Sequence, residues 1–368
     1  MKALGRRARG ARLERMQASP QWDGGKFSNA ALRSLDNPRA PMPLGEFLCP
    51  SQRRTPLEPL PVVDPTAAWR RPADSGLRVT WLGHSTVLLE LGGRRILTDP
   101  VWGERASPVR AVGPKRFQPV PVALTALPQV DLILLSHDHY DHLDYRTIRT
   151  LAESSVPFVA PLGVGTHLEA WGVEASRITE VDWWETVRPF DDELVITSTP
   201  AQHFSGRSPT TSNHTLWSSY VVAQGDSRVY VGGDSGLMTA FADIGAQFGP
   251  FDLVMLEVGA YHPAWANIHL GPMNALAAHA ALGGGPLLPI HWGTFDLSTH
   301  RWDQPIETAW THAAESGVQL LTPRLGEPIE PVLAPQQGAP WWRAIAALHR
   351  PSEPGGSDEV GTPPPPSD

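Results

Sequence analysis

The sequence predicts an α/β fold, a sandwich of mixed β-sheets with helices on its outside. Two observations point there. Strand-like and helix-like segments are interspersed along the body of the chain. Several neighbouring strands are joined by turns of hairpin length, which favours a mixed sheet over a purely parallel one. A third observation concerns function: four of the strands run directly into a His or an Asp.

The strands come first. Residues 79–82, 86–91 and 95–98 read as consecutive strands, with Gly92-Gly93 as a hairpin turn. Residues 130–135 are a short apolar run of the kind a strand buried on both faces shows. Residues 194–199, 216–223 and 228–231 follow, the last two joined by Gln224-Gly225-Asp226, and residues 253–258 and 286–290 complete the set. Helical periodicity covers residues 145–152, 164–171, 237–248 and 273–282. The last of these has Pro272 at its start and Gly283 just beyond its end.

Organisation and composition set the outer limits. Residues 1–75 are rich in Arg and Pro and are expected to form an irregular arm packed on the main domain. Residues 76–332 form the folded body. Residues 333–368 are expected to hold a short helix near Trp341 and Trp342 and then a Pro-rich disordered tail. With 41% hydrophobic and 18% charged residues over 368 positions, the chain is a globular protein with a sizeable core. The single cysteine, Cys49, excludes an internal disulfide. A net charge of -8 argues against a nucleic-acid partner. The basic start lacks the apolar stretch of a signal peptide, and no apolar run is long enough to span a bilayer. A cytoplasmic protein is therefore expected, with peripheral membrane contact left open. The Arg-rich tip has the charge to touch anionic lipid, although a solvated tail is the plainer expectation. A homo-oligomer is also left open.

The chemistry lies at the strand ends. Residues 130–135 lead into Ser136-His137-Asp138-His139-Tyr140-Asp141-His142. Residues 194–199 lead to His203, residues 228–231 to Asp234, and residues 286–290 to His291. Imidazole and carboxylate suit divalent first-row ions. Five histidines and two aspartates exceed what one catalytic ion takes but suffice for two, with an aspartate between them. Two ions about 3.5–4 Å apart can stabilise both attacking and leaving oxygens. Three histidines and an aspartate within six residues are hard to read as an accidental polar loop.

The His137-to-His142 motif resembles the signature of the metallo-β-lactamase superfamily. The chain further resembles the N-acylphosphatidylethanolamine-hydrolysing phospholipase D family and its bacterial relatives. That likeness rests on Trp81-Leu82-Gly83-His84, Thr98-Asp99-Pro100, Gly113-Pro114-Lys115-Arg116-Phe117, Asp182-Trp183-Trp184-Glu185, Gly259-Ala260-Tyr261 and Ile290-His291-Trp292-Gly293-Thr294-Phe295.

The resemblance implies a four-layer αββα sandwich holding two divalent ions, zinc first, with manganese or iron as alternatives. One ion would be held by His137, His139 and His203, the other by Asp141, His142 and His291, with Asp234 between them. The implied reaction cleaves a phosphodiester in an N-acylated phospholipid. Further alternatives are a lactonase or carboxylic ester hydrolase acting on a small molecule, and a metal-binding protein without catalysis. His269 corresponds to a substrate-proximal histidine of the family and is a catalytic candidate beside Asp234. Asp99 is a candidate for orienting a ligand imidazole, and His84 a weaker one. This chain carries His262 where the family has Glu, and Met273-Asn274 where it has an acidic pair.

Overall fold

The computed structural model describes residues 2–29, 35, 45 and 53–348. The Pro-rich tail expected after residue 348, Cys49 and His349 lie outside the described residues.

The strands are β1 (Trp22–Asp23), β2 (Lys26–Phe27), β3 (Leu77–Gly83), β4 (Thr86–Leu91), β5 (Arg94–Thr98), β6 (Leu132–Leu134), β7 (Phe158–Pro161) and β8 (Ile178–Val181). They continue with β9 (Thr186–Val187), β10 (Val195–Thr199), β11 (Ser219–Gln224), β12 (Ser227–Val231), β13 (Leu253–Glu257), β14 (Leu287–Ile290) and β15 (Pro328–Ile329). The α-helices are α1 (Gly10–Gln17), α2 (Tyr145–Leu151), α3 (Gly165–Ala170), α4 (Ala240–Phe248), α5 (Gly271–Ala281), α6 (Gln304–Ser316) and α7 (Trp342–Ala347).

Two large sheets are built from them. One has seven strands in the order β15-β3-β4-β5-β6-β7-β8, the other six in the order β14-β13-β12-β11-β10-β9. Both are mixed. In the first, β3, β4 and β5 are antiparallel neighbours, and β5 through β8 run parallel. In the second, β10, β11 and β12 are antiparallel, and β12 through β14 run parallel.

Side-chain alternation then makes layers. In β4 and β5, Val87, Leu89, Leu91 and Ile96 join the core shared by the two sheets, while Leu88 and Leu97 point to the other side. There they pack with Ile148 of α2 and Leu168 of α3. On the far side of the second sheet, Phe241 and Ile244 of α4, Ala275 and Ala278 of α5 and Ile306 of α6 are buried against the strands. The result is the expected helix–sheet–sheet–helix sandwich.

Several expectations need correcting. The N-terminal arm is not wholly irregular, because it contains α1 and the β1–β2 hairpin. Its basic tip is docked rather than solvated. Trp171 Nε1 donates to the Lys2 carbonyl at 2.8 Å, and Arg207 Nε donates to the Ala3 carbonyl at 2.9 Å. Helix α4 begins at Ala240, three residues later than its periodicity suggested. Strands β7 and β8 and helix α6 were not anticipated.

Candidate metal centre

Parallel strands deliver side chains at one edge of a sheet, and here two such edges face each other. β6 leads through Leu135 and Ser136 to His137, and the tight loop that follows presents His139, Asp141 and His142. From the second sheet, β10 leads to His203, β12 to Asp234 and β14 directly to His291. The Asp234 turn depends on Gly233. Its φ of +59° is left-handed, and a Cβ there would sit 2.9 Å from the Ser136 Cβ. The loop carrying the first histidines and the loop carrying Asp234 therefore pack backbone against side chain.

All seven predicted ligand residues converge. His139 Nδ1 lies 2.9 Å from His137 Nε2 and 3.3 Å from His203 Nε2. Asp141 Oδ2 lies 3.6 Å from His142 Nε2 and 3.4 Å from His291 Nε2. Asp234 Oδ2 joins the two groups, at 3.2 Å from both His142 Nε2 and His291 Nε2, 3.7 Å from His203 Nε2 and 3.9 Å from His137 Nε2. In a tetrahedral site with metal–nitrogen bonds of about 2.0–2.1 Å, neighbouring donors sit about 3.4 Å apart. The observed separations bracket that value. His142 Nε2, His291 Nε2 and Asp234 Oδ1 are buried without a hydrogen-bond partner. Buried polar atoms normally have one, so these orphaned donors fit a pair of cations.

The electrostatics divide the donors: burial opposes charge on every ring, but Asp234 and Asp141 outweigh it at His142 and His291 and hold both above the ordinary imidazole value. Burial holds the His137 and His203 imidazoles well below their ordinary pKa, keeping them neutral with a lone pair available. Burial would push Asp141 and Asp234 up, but His142 and the neighbouring histidines hold both carboxyls well below the usual carboxylate range.

A second ring of residues holds the donors in place. Asp99, at the end of β5, has Oδ2 at 2.8 Å from His142 Nδ1, and its Oδ1 accepts from the Ser136 amide at 2.7 Å. His84, just past β3, lies 2.9 Å from Asp141 Oδ2 through its Nε2, and its ring lies against His291 with ring centres 3.9 Å apart and the planes tilted by 39°. The His203 carbonyl accepts from Asn29 Nδ2 at 2.7 Å. His167 has its Nε2 at 3.2 Å from Asp138 Oδ2, and its Nδ1 accepts from the Arg6 amide at 3.0 Å. Arg207 Nη1 donates to the Asp138 carbonyl at 2.6 Å and the Leu143 carbonyl at 2.9 Å, and its guanidinium covers the Tyr140 ring. The sequence motif gave no sign of either residue.

His269, in the loop before α5, also reaches the centre. Its Nδ1 is 3.9 Å from Asp234 Oδ2 and 2.6 Å from Glu257 Oε2. Burial opposes charge on this ring, but Glu257 outweighs it and holds the pKa above the ordinary imidazole value. Sequence reasoning missed Glu257. It ends β13 at the same edge as the other site residues and is completely buried. In sequence it is a lone acid at the end of an otherwise apolar run, with no neighbour at a spacing that would mark it.

The other histidines have local roles. His279 Nε2 hydrogen-bonds the Gly285 carbonyl at 2.7 Å, and His312 pairs with Glu315 on the surface at 2.8 Å. Trp183 is buried in the packing, whereas Trp184 is exposed.

Residues 94–292 match the sequence profile of a family described as a β-lactamase superfamily domain. The chain belongs to that family. An uncharacterised protein of Mycobacterium tuberculosis is 43% identical over 334 residues, covering 89% of this chain and 88% of the other. N-acyl-phosphatidylethanolamine-hydrolyzing phospholipase D 1 of Caenorhabditis elegans is 38% identical over 237 residues, 62% of this chain and 67% of that protein. Among solved structures, a metallo hydrolase from the archaeon Ignicoccus hospitalis aligns with a TM-score of 0.53 over 69% of this chain and 97% of its own, at 20% identity. That likeness speaks to the fold alone. The family is one of metal-dependent hydrolases. Among the described residues, no helix is long and apolar enough to cross a membrane.

Proposed function

We propose that the chain is a binuclear metal-dependent phosphodiesterase of phospholipase D type, acting on N-acylphosphatidylethanolamine-like lipids. His137, His139 and His203 would hold one divalent ion. Asp141, His142 and His291 would hold the other, with the Asp234 carboxylate within reach of both donor groups. Zinc suits this nitrogen-rich donor set, and manganese or iron are the alternatives. The observation that carries the binuclear reading is Asp234 Oδ2, which lies 3.2–3.9 Å from four imidazole nitrogens drawn from both clusters.

When bound, the ions supply positive charge for the phosphoryl oxygens and lower the pKa of water at the site. The chain's own residues do the rest. Neutral His137 and His203 present lone pairs, and Asp99 and Asp138 fix the loop between them. His269 faces the head group from the opposite sheet. Buried walls keep bulk water away, which strengthens every charge interaction at the reacting phosphorus.

The surroundings support a lipid substrate. Phe204 is exposed, and its ring sits 4.4 Å from the His139 ring and 4.8 Å from the His203 ring. Met273, four residues past His269, is exposed too. So is Leu35, whose amide bonds to the carbonyl of Leu237, three residues past Asp234. An exposed aromatic ring against the donor histidines is the kind of apolar surface an acyl chain needs. The similarity to the nematode phospholipase D points the same way.

The test is an assay of metal-loaded protein on vesicles containing N-acylphosphatidylethanolamine, beside a lactone panel. Release of N-acylethanolamine and phosphatidic acid is expected. Lactone opening without phosphodiester cleavage would replace this reading with the lactonase one.

A further inference from the structure

Glu257 is a carboxylate sealed in the protein with every oxygen already committed. Oε1 accepts from the Ser235 amide at 2.7 Å and from the Leu270 amide at 3.1 Å. Oε2 lies 2.6 Å from His269 Nδ1. Ser235 directly follows Asp234, and Leu270 directly follows His269. One side chain therefore ties together the turn that presents Asp234, the loop that presents His269 and the His269 ring itself. Burying an ionisable group this deeply is costly unless it is fully paired. This pairing is directed wholly at the metal centre.

The commitment of both oxygens argues against Glu257 as a metal ligand, although it lies close enough to Asp234, His269 and His291 to form a donor cluster. Its nearest approach to His291 is 3.8 Å, at Nδ1, on the side of that ring away from Asp141 and Asp234. It also settles which way His269 faces. With Nδ1 turned to Glu257, Nε2 is the outward nitrogen. That nitrogen has no protein partner among the described residues, and the side chain remains 13% exposed where Glu257 is fully enclosed.

We infer that Glu257 is the positioning residue for His269: by taking its Nδ1–H it fixes one ring orientation, so that Nε2 is presented to an oxygen of the bound substrate. A free imidazole would rotate and exchange tautomers, and ordering it would be a cost borne at each binding event. A charge-assisted bond to a buried carboxylate removes that freedom beforehand. The inference rests on the metal-hydrolase reading above but not on the identity of the lipid. The expected partner is any ester or phosphodiester oxygen lying beside the ion pair.

The test uses full-length, metal-loaded protein and bis(p-nitrophenyl) phosphate as the probe. Glu257→Gln keeps an oxygen for the two amides and removes the anionic acceptor for His269. It should lower kcat by about tenfold or more, up to the roughly 10²–10⁴-fold that a positioned acid–base side chain contributes. Metal content and melting temperature should stay near those of the parent. In a His269→Ala background the same change should cost less than about twofold, since residues acting through one another are not additive. An equal loss in both backgrounds, or loss of one metal equivalent in Glu257→Gln, would overturn the assignment. Proton NMR supplies a readout independent of turnover. The His269 Nδ1–H should give a downfield exchangeable signal that both substitutions abolish, and its absence from the parent protein would also overturn it. If the parent cleaves neither this diester nor the lipid while the signal is present, the proposed phosphodiesterase function fails and the Glu257–His269 pairing stands.

Discussion

His142 Nδ1 lies 2.8 Å from Asp99 Oδ2, and the same carboxylate accepts from the Ser136 amide and from Ser136 Oγ. A histidine that donates from Nδ1 has its lone pair on Nε2. In His142 that nitrogen faces Asp141 and Asp234. Asp99 thus sets the tautomer of one donor and anchors the start of the loop that supplies three others. Asp99→Asn removes the anion but keeps the shape. Metal affinity should fall by about 10–100-fold, the range typical for residues supporting a ligand. Competition against a chromogenic chelator measures it, and an unchanged affinity would reject the orienting role.

Asp234 has a harsher prediction. Its Oδ2 is the atom common to both donor clusters, and its carboxylate is almost fully buried. Asp234→Asn should bind metal more weakly and lose at least about three orders of magnitude in turnover, as expected when charge stabilisation at the reacting centre is removed. Steady-state kinetics at saturating metal reads this directly. Near-parental activity would exclude a spanning role.

The N-terminal arm should matter to the site despite its distance in sequence. Gly5 has φ +73°, and a Cβ there would fall 2.0 Å from His167 Nδ1, the atom that accepts from the Arg6 amide. His167 in turn holds Asp138, which lies between two metal-binding candidates. Gly5→Ala should undock the tip, lower stability by about 1–3 kcal/mol and weaken metal binding measurably. Thermal melts with and without metal test both effects. A variant with the parental melting temperature in both conditions would mean that the clasp contributes nothing.

Stability should also fall in mild acid. Burial pushes His300 down from 6.5 to about 4, with its Nδ1 hydrogen-bonded to the Arg301 carbonyl at 2.8 Å and its ring stacked on Tyr261. The folded protein keeps this ring neutral, so between these two values the unfolded chain binds the extra proton. Stability is then lost as pH falls from 6.5 towards 4. His300→Gln should flatten the slope of melting temperature against pH in that window. An unaltered slope would assign the acid sensitivity to other groups.

How much of this could be read from the sequence depended on repetition and local density. Residues 130–135 were legible as a strand because β6 is buried on both faces and so carries no polar alternation. The loop after it was legible because three imidazoles and a carboxylate crowd into six positions. His203, Asp234 and His291 could be attached to it because each follows an apolar run of strand length. Strand β8 was hidden by its exposed, polar alternation. Glu257 was hidden for a different reason. A single acid at a strand end carries no spacing signal, and its meaning appears only when the fold brings His269 and the Ser235 amide to it. His167 and Arg207 were illegible likewise, since their partners lie in the arm and the metal loop.

The account depends most on two cations sharing one centre. Metal analysis by inductively coupled plasma mass spectrometry, on protein saturated with zinc and then dialysed free of unbound metal, measures that directly. Two equivalents per chain are predicted for the parent, with one or fewer after His142→Ala. A parent that retains one equivalent or none under saturating conditions would contradict it.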